Sequence, residues 1–216
     1  MGHGHDHGHD HGHGHEQVDW AALADHLERE GELLLGFVTE TAARVAALRT
    51  APVARVLDLG SGPGVGTCEL ALRFPTARVV AVDATPAMLE RVSTRAAAHG
   101  VGDRVTTLLA ELPDGVADLE PADLVWASNA LHHVGDEVAA LVAFRSLLVD
   151  DGLLALAERT DTDSEWFQDM RAAIPGSVPS ADLTSMLAAA GYEVLSDRVE
   201  QIGDTTRRLV IARPRA

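Results

Sequence analysis

Short apolar runs alternate with amphipathic stretches along most of the chain. The apolar runs, rich in Val, Leu and Ala, predict buried strands at 54–60, 77–83, 103–110, 122–129, 152–158, 192–199 and 207–213. The stretches between the first six predict helices at 66–74, 86–98, 137–148, 164–173 and 181–190. Strands that alternate with helices are typical of a parallel sheet with helices on both faces. No helix separates the last two strands, so we expect the last one to be antiparallel. The pattern thus predicts an α/β fold with a doubly wound, seven-stranded, mostly parallel sheet.

The sequence divides into three regions. Residues 1–17 begin with "MGHGHDHGHDHGHGH", a low-complexity stretch without apolar residues to bury, and we expect it to be a disordered tail. Residues 18–50 have a helical pattern, and Gly31 is expected to separate two helices that cover the site as a cap or lid. Residues 51–216 then hold the α/β domain.

Composition and charge narrow the range of functions. Hydrophobic residues make up 46% of the 216 residues, which is enough for a sizeable core, and the net charge is −16. An acidic chain is a poor partner for nucleic acid or a membrane surface, since both are polyanionic. All 17 basic residues are arginine, so lysine Schiff-base chemistry and a phosphate-loop lysine are excluded. With a single cysteine and no long apolar run, we expect a cytoplasmic protein. Its oligomeric state is not indicated.

The segment "LDLGSGPG" (57–64) is a glycine-rich loop between a strand and a helix. In such a loop, backbone N–H groups and the helix dipole face a ligand. The dinucleotide fingerprint G-x-G-x-x-G would need a glycine at Val65, where this chain has G-x-G-x-G instead. The loop therefore predicts a ligand site that differs from a pyrophosphate site, with a tight turn that binds nothing as the alternative.

Acidic residues accompany three successive strand ends. Asp58 precedes the first glycine, Asp83 ends the second strand and Glu111 follows the third. Carboxylates along one side of a crevice would repel a phosphate and favour a cationic nucleoside. Two simpler alternatives remain: Asp83 as a helix N-cap, and Glu111 as a solvated loop acid.

The stretch 53–158 resembles the class I S-adenosylmethionine (SAM) dependent methyltransferases, in particular the ubiquinone/menaquinone-biosynthesis type. The resemblance is carried, in order, by "VLDLGSGPG", "VVAVDATPAMLE", "PADLVWASNALHHV" and "LLVDDGLLALAE". Two positions depart from the usual pattern: Ser61 stands where many relatives have cysteine, and Asp151 where glycine is commoner.

The resemblance implies an enzyme that uses SAM to methylate a small-molecule acceptor by in-line displacement. It also implies a role for each matching position. Asp58 and the glycine loop would hold the methionine part, Asp83 the ribose hydroxyls, and Glu111 the adenine amine. The full set implied to bind the cofactor is Asp58, Gly60, Ser61, Gly62, Gly64, Asp83, Ala84, Met88, Ala110, Glu111, Asn129 and Leu131.

The segment "NALHHV" (129–134) contains the candidate catalytic residues. It follows the fourth strand, and ligands in doubly wound sheets lie at the carboxyl ends of the strands. His132 or His133 could remove a proton from the acceptor. The alternative is that one histidine packs in the core while the other hydrogen-bonds the loop. Acids such as Glu28 and Glu30 in the covering segments argue against an anionic acceptor.

The tail histidines form a separate candidate site. Imidazole binds nickel, zinc and copper, so His3, His5, His7, His9, His11, His13 and His15 are expected to chelate such ions adventitiously. Two rival functions stay open at this point. One is a metal-binding or regulatory protein with a vestigial methyltransferase fold, and the other is an NAD(P)-dependent oxidoreductase.

Overall fold

A computed structural model describes residues 20–160, 183–203 and 205–215. Within them, seven strands form one sheet in the order β3-β2-β1-β4-β5-β7-β6. The strands are β1 (Arg55–Leu59), β2 (Arg78–Asp83), β3 (Val105–Leu109), β4 (Ala122–Ser128), β5 (Leu148–Arg159), β6 (Tyr192–Ile202) and β7 (Thr205–Pro214). The helices are α1 (Trp20–Leu33), α2 (Leu35–Leu48), α3 (Val65–Arg73), α4 (Pro86–Ala98), α5 (Glu137–Ser146) and α6 (Leu183–Ala189).

Both faces of the sheet are buried, which explains why its strands are almost continuously apolar. Side chains of successive residues point to opposite faces. Leu57, Val125 and their neighbours pack with α5 and α6 in one cluster, while Val56 and Trp126 pack with α2 and α3 in the other. The helices therefore cover the sheet on its two sides, as a doubly wound fold requires.

The strand order reverses direction between β1 and β4. From β1 the chain winds outward through β2 to β3, then returns to place β4 on the other side of β1. β7 lies between β5 and β6 and is antiparallel to both. The predicted fold is confirmed, including the antiparallel last strand. Because β7 runs the opposite way, its first residues lie at the same sheet edge as the carboxyl ends of the parallel strands.

The prediction that Gly31 separates the two N-terminal helices is wrong. α1 continues through Gly31 to Leu33, and the break comes at Leu34. A Cβ atom at Gly31 would lie 2.9 Å from the Cβ of Val65, the first residue of α3. Glycine is present because α1 packs closely on α3 at this point, where any side chain would collide.

Arginines of α4 bind acids of α1 and fix the position of that helix. Arg91 contacts Asp25 at 2.6 Å and Glu28 at 2.9 Å, and Arg95 contacts Glu28 and Glu32. The hydrogen bond from Arg95 is the main cause that lowers the pKa of Glu28. Several acids of α1 are thus engaged by α4.

Some predictions fall outside the described residues, namely the tail of residues 1–17, its metal-binding histidines and the helix at 164–173. In the part of the chain that the structure describes, no helix is long and apolar enough to span a bilayer. The same residues contain no cluster of three or more side chains able to hold a metal ion.

We expect Gly31→Ala to lower the free energy of unfolding by up to about 2 kcal/mol. Overpacking against Val65 should outweigh the ~1 kcal/mol that alanine gains in helix propensity. Gly36→Ala is the matched control, since a Cβ at Gly36 in α2 would meet nothing within 4 Å. Urea unfolding of both variants measures the difference. Equal stability of the two would contradict the close packing of α1 on α3.

Candidate active site

A cavity of about 400 Å³ lies at the carboxyl ends of β1, β2, β4 and β5. The N-terminal helices cover it through Leu27, Glu30, Leu34 and Val38. Its wall contains most of the residues named from the sequence: Asp58, Gly60, Ser61, Gly62, Asp83, Ala84, Met88, Ala110, Glu111, Asn129, His132 and His133. Sequence positions more than 70 residues apart therefore meet around one space of a size typical for small-molecule sites.

The glycine loop adopts a backbone that other residues rarely reach. Gly60, Gly62 and Gly64 have φ of +72°, +51° and +84°. A Cβ at Gly60 would lie 2.6 Å from the Cβ of Ala130, and one at Gly64 would lie 2.8 Å from Val92. At Gly62 a Cβ would meet nothing within 4 Å, so this glycine presents bare backbone to the cavity. The Oγ atom of Ser61 is buried at the loop and has no hydrogen-bond partner among the described residues.

Asp83 joins the glycine loop to the start of α4. Its Oδ2 accepts a hydrogen bond from the N–H of Gly62 at 2.9 Å, and its Oδ1 accepts one from the N–H of Thr85 at 2.9 Å. Burial raises the pKa of Asp83, although these backbone donors oppose the rise. The carboxylate thus braces both segments and also faces the cavity, where its remaining lone pairs can accept from a ligand.

Asp58 is the most deeply buried acid of the cavity wall. It is 2% exposed, and its Oδ2 accepts a hydrogen bond from the Thr67 hydroxyl at 2.5 Å. Burial raises the pKa of Asp58 to about 7, the hydroxyl of Thr67 opposes the rise, and nearby Asp83 adds to it. A buried carboxyl of this kind is suited to a cationic ligand, which would restore the stability of its charged form.

His132 and Glu158 form a buried pair at the ends of β4 and β5. The Nδ1 atom of His132 lies 3.1 Å from Oε2 of Glu158, whose Oε1 accepts from the N–H of Leu131 at 3.1 Å. Since a carboxylate only accepts hydrogen bonds, Nδ1 is the nitrogen that donates to Glu158, and Nε2 is the acceptor whenever the imidazole is neutral. The Nε2 atom is buried and has no hydrogen-bond partner among the described residues. The pair therefore fixes the orientation of an imidazole that lines the cavity.

His133 takes a different position from His132. Its residue is exposed at the cavity mouth, and the two imidazole rings lie 4.0 Å apart. Although part of the residue is in contact with solvent, desolvation by the protein around its ring lowers the pKa of His133, and the adjacent His132 lowers it further. Both imidazoles are thus part of the cavity wall, and His132 is held there by Glu158.

Two residues named from the sequence do not line the cavity. Leu131 begins the short 3-10 turn of residues 131–133, and its side chain is fully buried in the core. It is connected to the site through its N–H, which donates to Glu158. Gly64 is the N-cap of α3 and packs on Val92. Glu111 does line the cavity, with its side chain largely exposed.

The sequence reasoning missed Glu158, Arg159 and Arg207. The reasoning that identified Asp83 applies equally to Glu158, an acid directly after the apolar run "LLALA". Arg159 follows it at the end of β5, and Arg207 is its register partner on β7. The position of Arg207 depends on β7 running antiparallel, which brings the start of that strand to the cavity edge.

Comparisons with known proteins find relatives among methyltransferases. The family model described as "Methyltransferase domain" matches residues 56–152. A malonyl-[acyl-carrier protein] O-methyltransferase of Laribacter hongkongensis is 34% identical over 175 residues, which cover 74% of this chain and 58% of that protein. A trans-aconitate 2-methyltransferase of Methylobacterium radiotolerans is 33% identical over 135 residues, or 62% of this chain and 49% of that protein. The chain spans about half the length of these curated relatives.

Solved structures show the same fold. An O-methyltransferase family protein of Burkholderia thailandensis superimposes with a TM-score of 0.71 at 20% identity, covering 91% of this chain and 60% of that chain. A magnesium protoporphyrin IX methyltransferase of Synechocystis with bound SAH gives a TM-score of 0.66 at 21% identity, covering 86% and 84%. The predicted resemblance to class I SAM-dependent methyltransferases is confirmed: residues 56–152 match the methyltransferase domain model, and the solved structures share the fold.

The raised pKa of Asp58 predicts how stability changes with pH. An acid whose pKa is higher in the folded protein destabilises the fold once it ionises, so wild-type protein should lose stability from about pH 4 to pH 7. Asp58→Asn retains an acceptor for Thr67 without the charge. We expect the variant to become the more stable protein at pH 8, by on the order of 2–4 kcal/mol. Urea unfolding across this pH range measures the difference in free energy of unfolding between the variant and the wild type. A difference that does not change with pH would contradict the raised pKa of Asp58.

Proposed function

We propose that this protein transfers a methyl group from SAM to a small-molecule acceptor. The observation that carries the proposal is the convergence of the left-handed glycine loop, the buried Asp58, the half-buried Asp83 and the buried imidazole of His132 on one cavity. The curated relatives are named for different acceptors, a malonyl-acyl-carrier protein and trans-aconitate. Similarity therefore supports methyl transfer and leaves the acceptor to be decided by the site itself.

The described residues fit SAM. Gly60, Ser61 and Gly62 line the cavity where the amino-acid part would lie, and Asp58 offers a buried carboxylate to its ammonium. Asp83 has lone pairs for the ribose hydroxyls. Met88 is an apolar wall residue and Glu111 an acceptor at the cavity mouth, which suits an adenine ring with an exocyclic amine.

The same residues argue against a dinucleotide. A pyrophosphate beside Asp58 and Asp83 would place like charges together in a poorly solvated space. Val65, at the third position of the dinucleotide fingerprint, carries a side chain that packs against Gly31. The oxidoreductase alternative therefore lacks both the glycine and the charge that it needs.

The chain contributes position and proton transfer to the reaction. When bound, SAM supplies an electrophilic methyl group on a sulfonium centre. The glycine loop, Asp58 and Asp83 fix the donor so that an acceptor atom can approach in line. The Nε2 atom of His132 takes the proton of an acceptor hydroxyl or amine, and Glu158 holds the imidazole in the required orientation and tautomer. His133 lies at the mouth of the cavity, where the acceptor would enter.

Calorimetric titration with SAM and with SAH tests the cofactor assignment. We expect micromolar dissociation constants for both. Asp83→Asn should weaken binding about tenfold or more, since it removes a charged acceptor for the ribose and loosens Gly62. Asp118→Asn, at an exposed position outside the cavity, is the matched control.

Deletion of residues 1–17 separates the enzyme from the metal-handling alternative. The deletion should leave SAM affinity unchanged and remove nickel or zinc binding, because the chelating histidines lie in the deleted tail. If neither SAM nor SAH binds, or if the deletion abolishes their binding, the proposed function is wrong.

A second experiment tests His132. With acceptors whose reacting group carries a proton, His132→Asn should lower kcat by about 10²–10⁴-fold with little change in SAM affinity. Glu158→Gln should lower kcat in the same direction through the orientation of the imidazole. His99→Asn, at the exposed end of α4, is the control. A full kcat in His132→Asn, or a larger loss in His133→Asn, would assign the base to another group.

A further inference from the structure

Two arginine side chains lie next to each other in the wall of the cavity. Arg159 ends β5 and Arg207 is directly opposite it on β7. Both line the cavity, and their residues are only 9% and 3% exposed. We propose that these guanidinium groups form a carboxylate-binding subsite for the methyl acceptor. The inference rests on the proposed function insofar as the bound acid is the acceptor.

Arg207 is held firmly from the side of the sheet. Its Nη1 donates to Oδ1 of Asn129 at 2.7 Å, and its Nε donates to the Thr205 hydroxyl at 3.2 Å. Asn129 has a φ of +51°, which is unusual for a residue other than glycine and marks a backbone held in place by its surroundings. This arrangement fixes the guanidinium before any ligand arrives, so that little side-chain entropy is lost on binding.

Glu30 of α1 occupies the space in front of both arginines. Its Oε1 lies 3.4 Å from Nη1 of Arg159 and 3.6 Å from Nη2 of Arg207. Both contacts are long and use the same oxygen, whereas a strong guanidinium–carboxylate pair has two parallel hydrogen bonds below about 3 Å. The side chain of Glu30 is 18% exposed and comes from the covering helix, not from the sheet. The carboxylate of Glu30 therefore lies where the carboxylate of a ligand would bind. It does not make the two short, parallel hydrogen bonds to a guanidinium that a ligand carboxylate can make.

The location of the subsite indicates the kind of acceptor. Arg159, Arg207 and His132 line the same cavity, and Asn129, which accepts from Arg207, belongs to the same loop as His132. A carboxylate at the arginines and a proton-bearing nucleophile at His132 can thus be offered by one small molecule. The geometry fits a carboxylic acid that also carries a hydroxyl or amino group. It reverses the expectation, based on the acids of the covering segments, that the acceptor is not anionic.

Thermal-shift titration of the SAH-loaded protein tests the subsite without knowledge of the acceptor. The probes are benzoate and succinate, each compared with its neutral amide at matched ionic strength. We expect each acid to raise Tm in a saturable manner and each amide to have no such effect. If the amides stabilise the protein as well as the acids do, the subsite does not exist.

Variants assign the effect to the arginines. Arg207→Gln and Arg159→Gln should each weaken the apparent affinity for benzoate about tenfold. The control is Arg208→Gln, the neighbouring arginine that pairs with Asp197 at 2.7 Å. Unchanged affinity in Arg207→Gln and Arg159→Gln would overturn the proposal.

A gain of affinity is expected from the opposite change. Glu30→Gln removes the internal carboxylate and should strengthen benzoate binding by about three- to tenfold. Glu32→Gln, which removes an acid that contacts Arg95 instead, should not. A purely structural role for the ion pairs would make Glu30→Gln weaken benzoate binding, and that result would also overturn the proposal. The gain keeps the test decisive even if an arginine variant fails to fold.

The outcomes separate the subsite from the proposed function. Protein that binds SAH but does not distinguish the acids from the amides refutes the subsite alone. Protein that binds the acids through Arg159 and Arg207 but does not bind SAH refutes methyl transfer and leaves an anion site.

Discussion

Two strand-end carboxylates each tie together two segments on which the cavity depends. Asp83 accepts the N–H groups of Gly62 and Thr85, which fixes the glycine loop against the start of α4. Glu158 accepts the N–H of Leu131 and contacts His132, which fixes the loop after β4 against the end of β5. Buried backbone donors need such partners, and a carboxylate is the strongest that a side chain can supply. These acids act together with the backbone bonds from Gly60 and Ser61 to Val82 and from Asn129 to Ala157, which also hold the two loops against the sheet.

The sheet topology explains why these groups can meet. Parallel strands bring their carboxyl ends to one edge, and the reversal of strand order between β1 and β4 opens a crevice there. Asp58, Asp83 and Glu158 all belong to that edge, so burial acts on several acids at once and raises the pKa of Asp58 and Asp83. Arg159 and Arg207 bring the opposite charge to the same edge. The cavity is consequently divided into an acidic wall and a basic wall, a division that suits a cationic donor and an anionic acceptor.

The sequence contained much of this information in local form. Short apolar runs separated by amphipathic stretches were sufficient to predict the order of strands and helices. A strand that is buried on both faces leaves such a run in its own segment of the sequence. Asp58 and Asp83 could be identified because each lies at the end of one of these apolar runs. Gly31 was misinterpreted because glycine is required there by the close contact with Val65. This is a contact between two helices, and no local sequence pattern reveals it. Arg207 was missed because it pairs with residues 48 and 78 positions away, and only the antiparallel path of β7 brings it to the cavity.

Net charge was the least informative of the sequence signals about the acceptor. A value of −16 describes the field far from the protein, where it disfavours polyanionic partners. Within a cavity, the charge that a ligand meets is set by the few groups that face it, and water does little to screen them. Most acids of α1 are engaged by Arg91 and Arg95 of α4, whereas Glu30 is turned toward the arginines of the sheet. One carboxylate of this acidic helix, that of Glu30, thus lies against the arginines of the cavity wall. The charge of the ligand that the cavity favours can therefore have the same sign as the net charge of the protein.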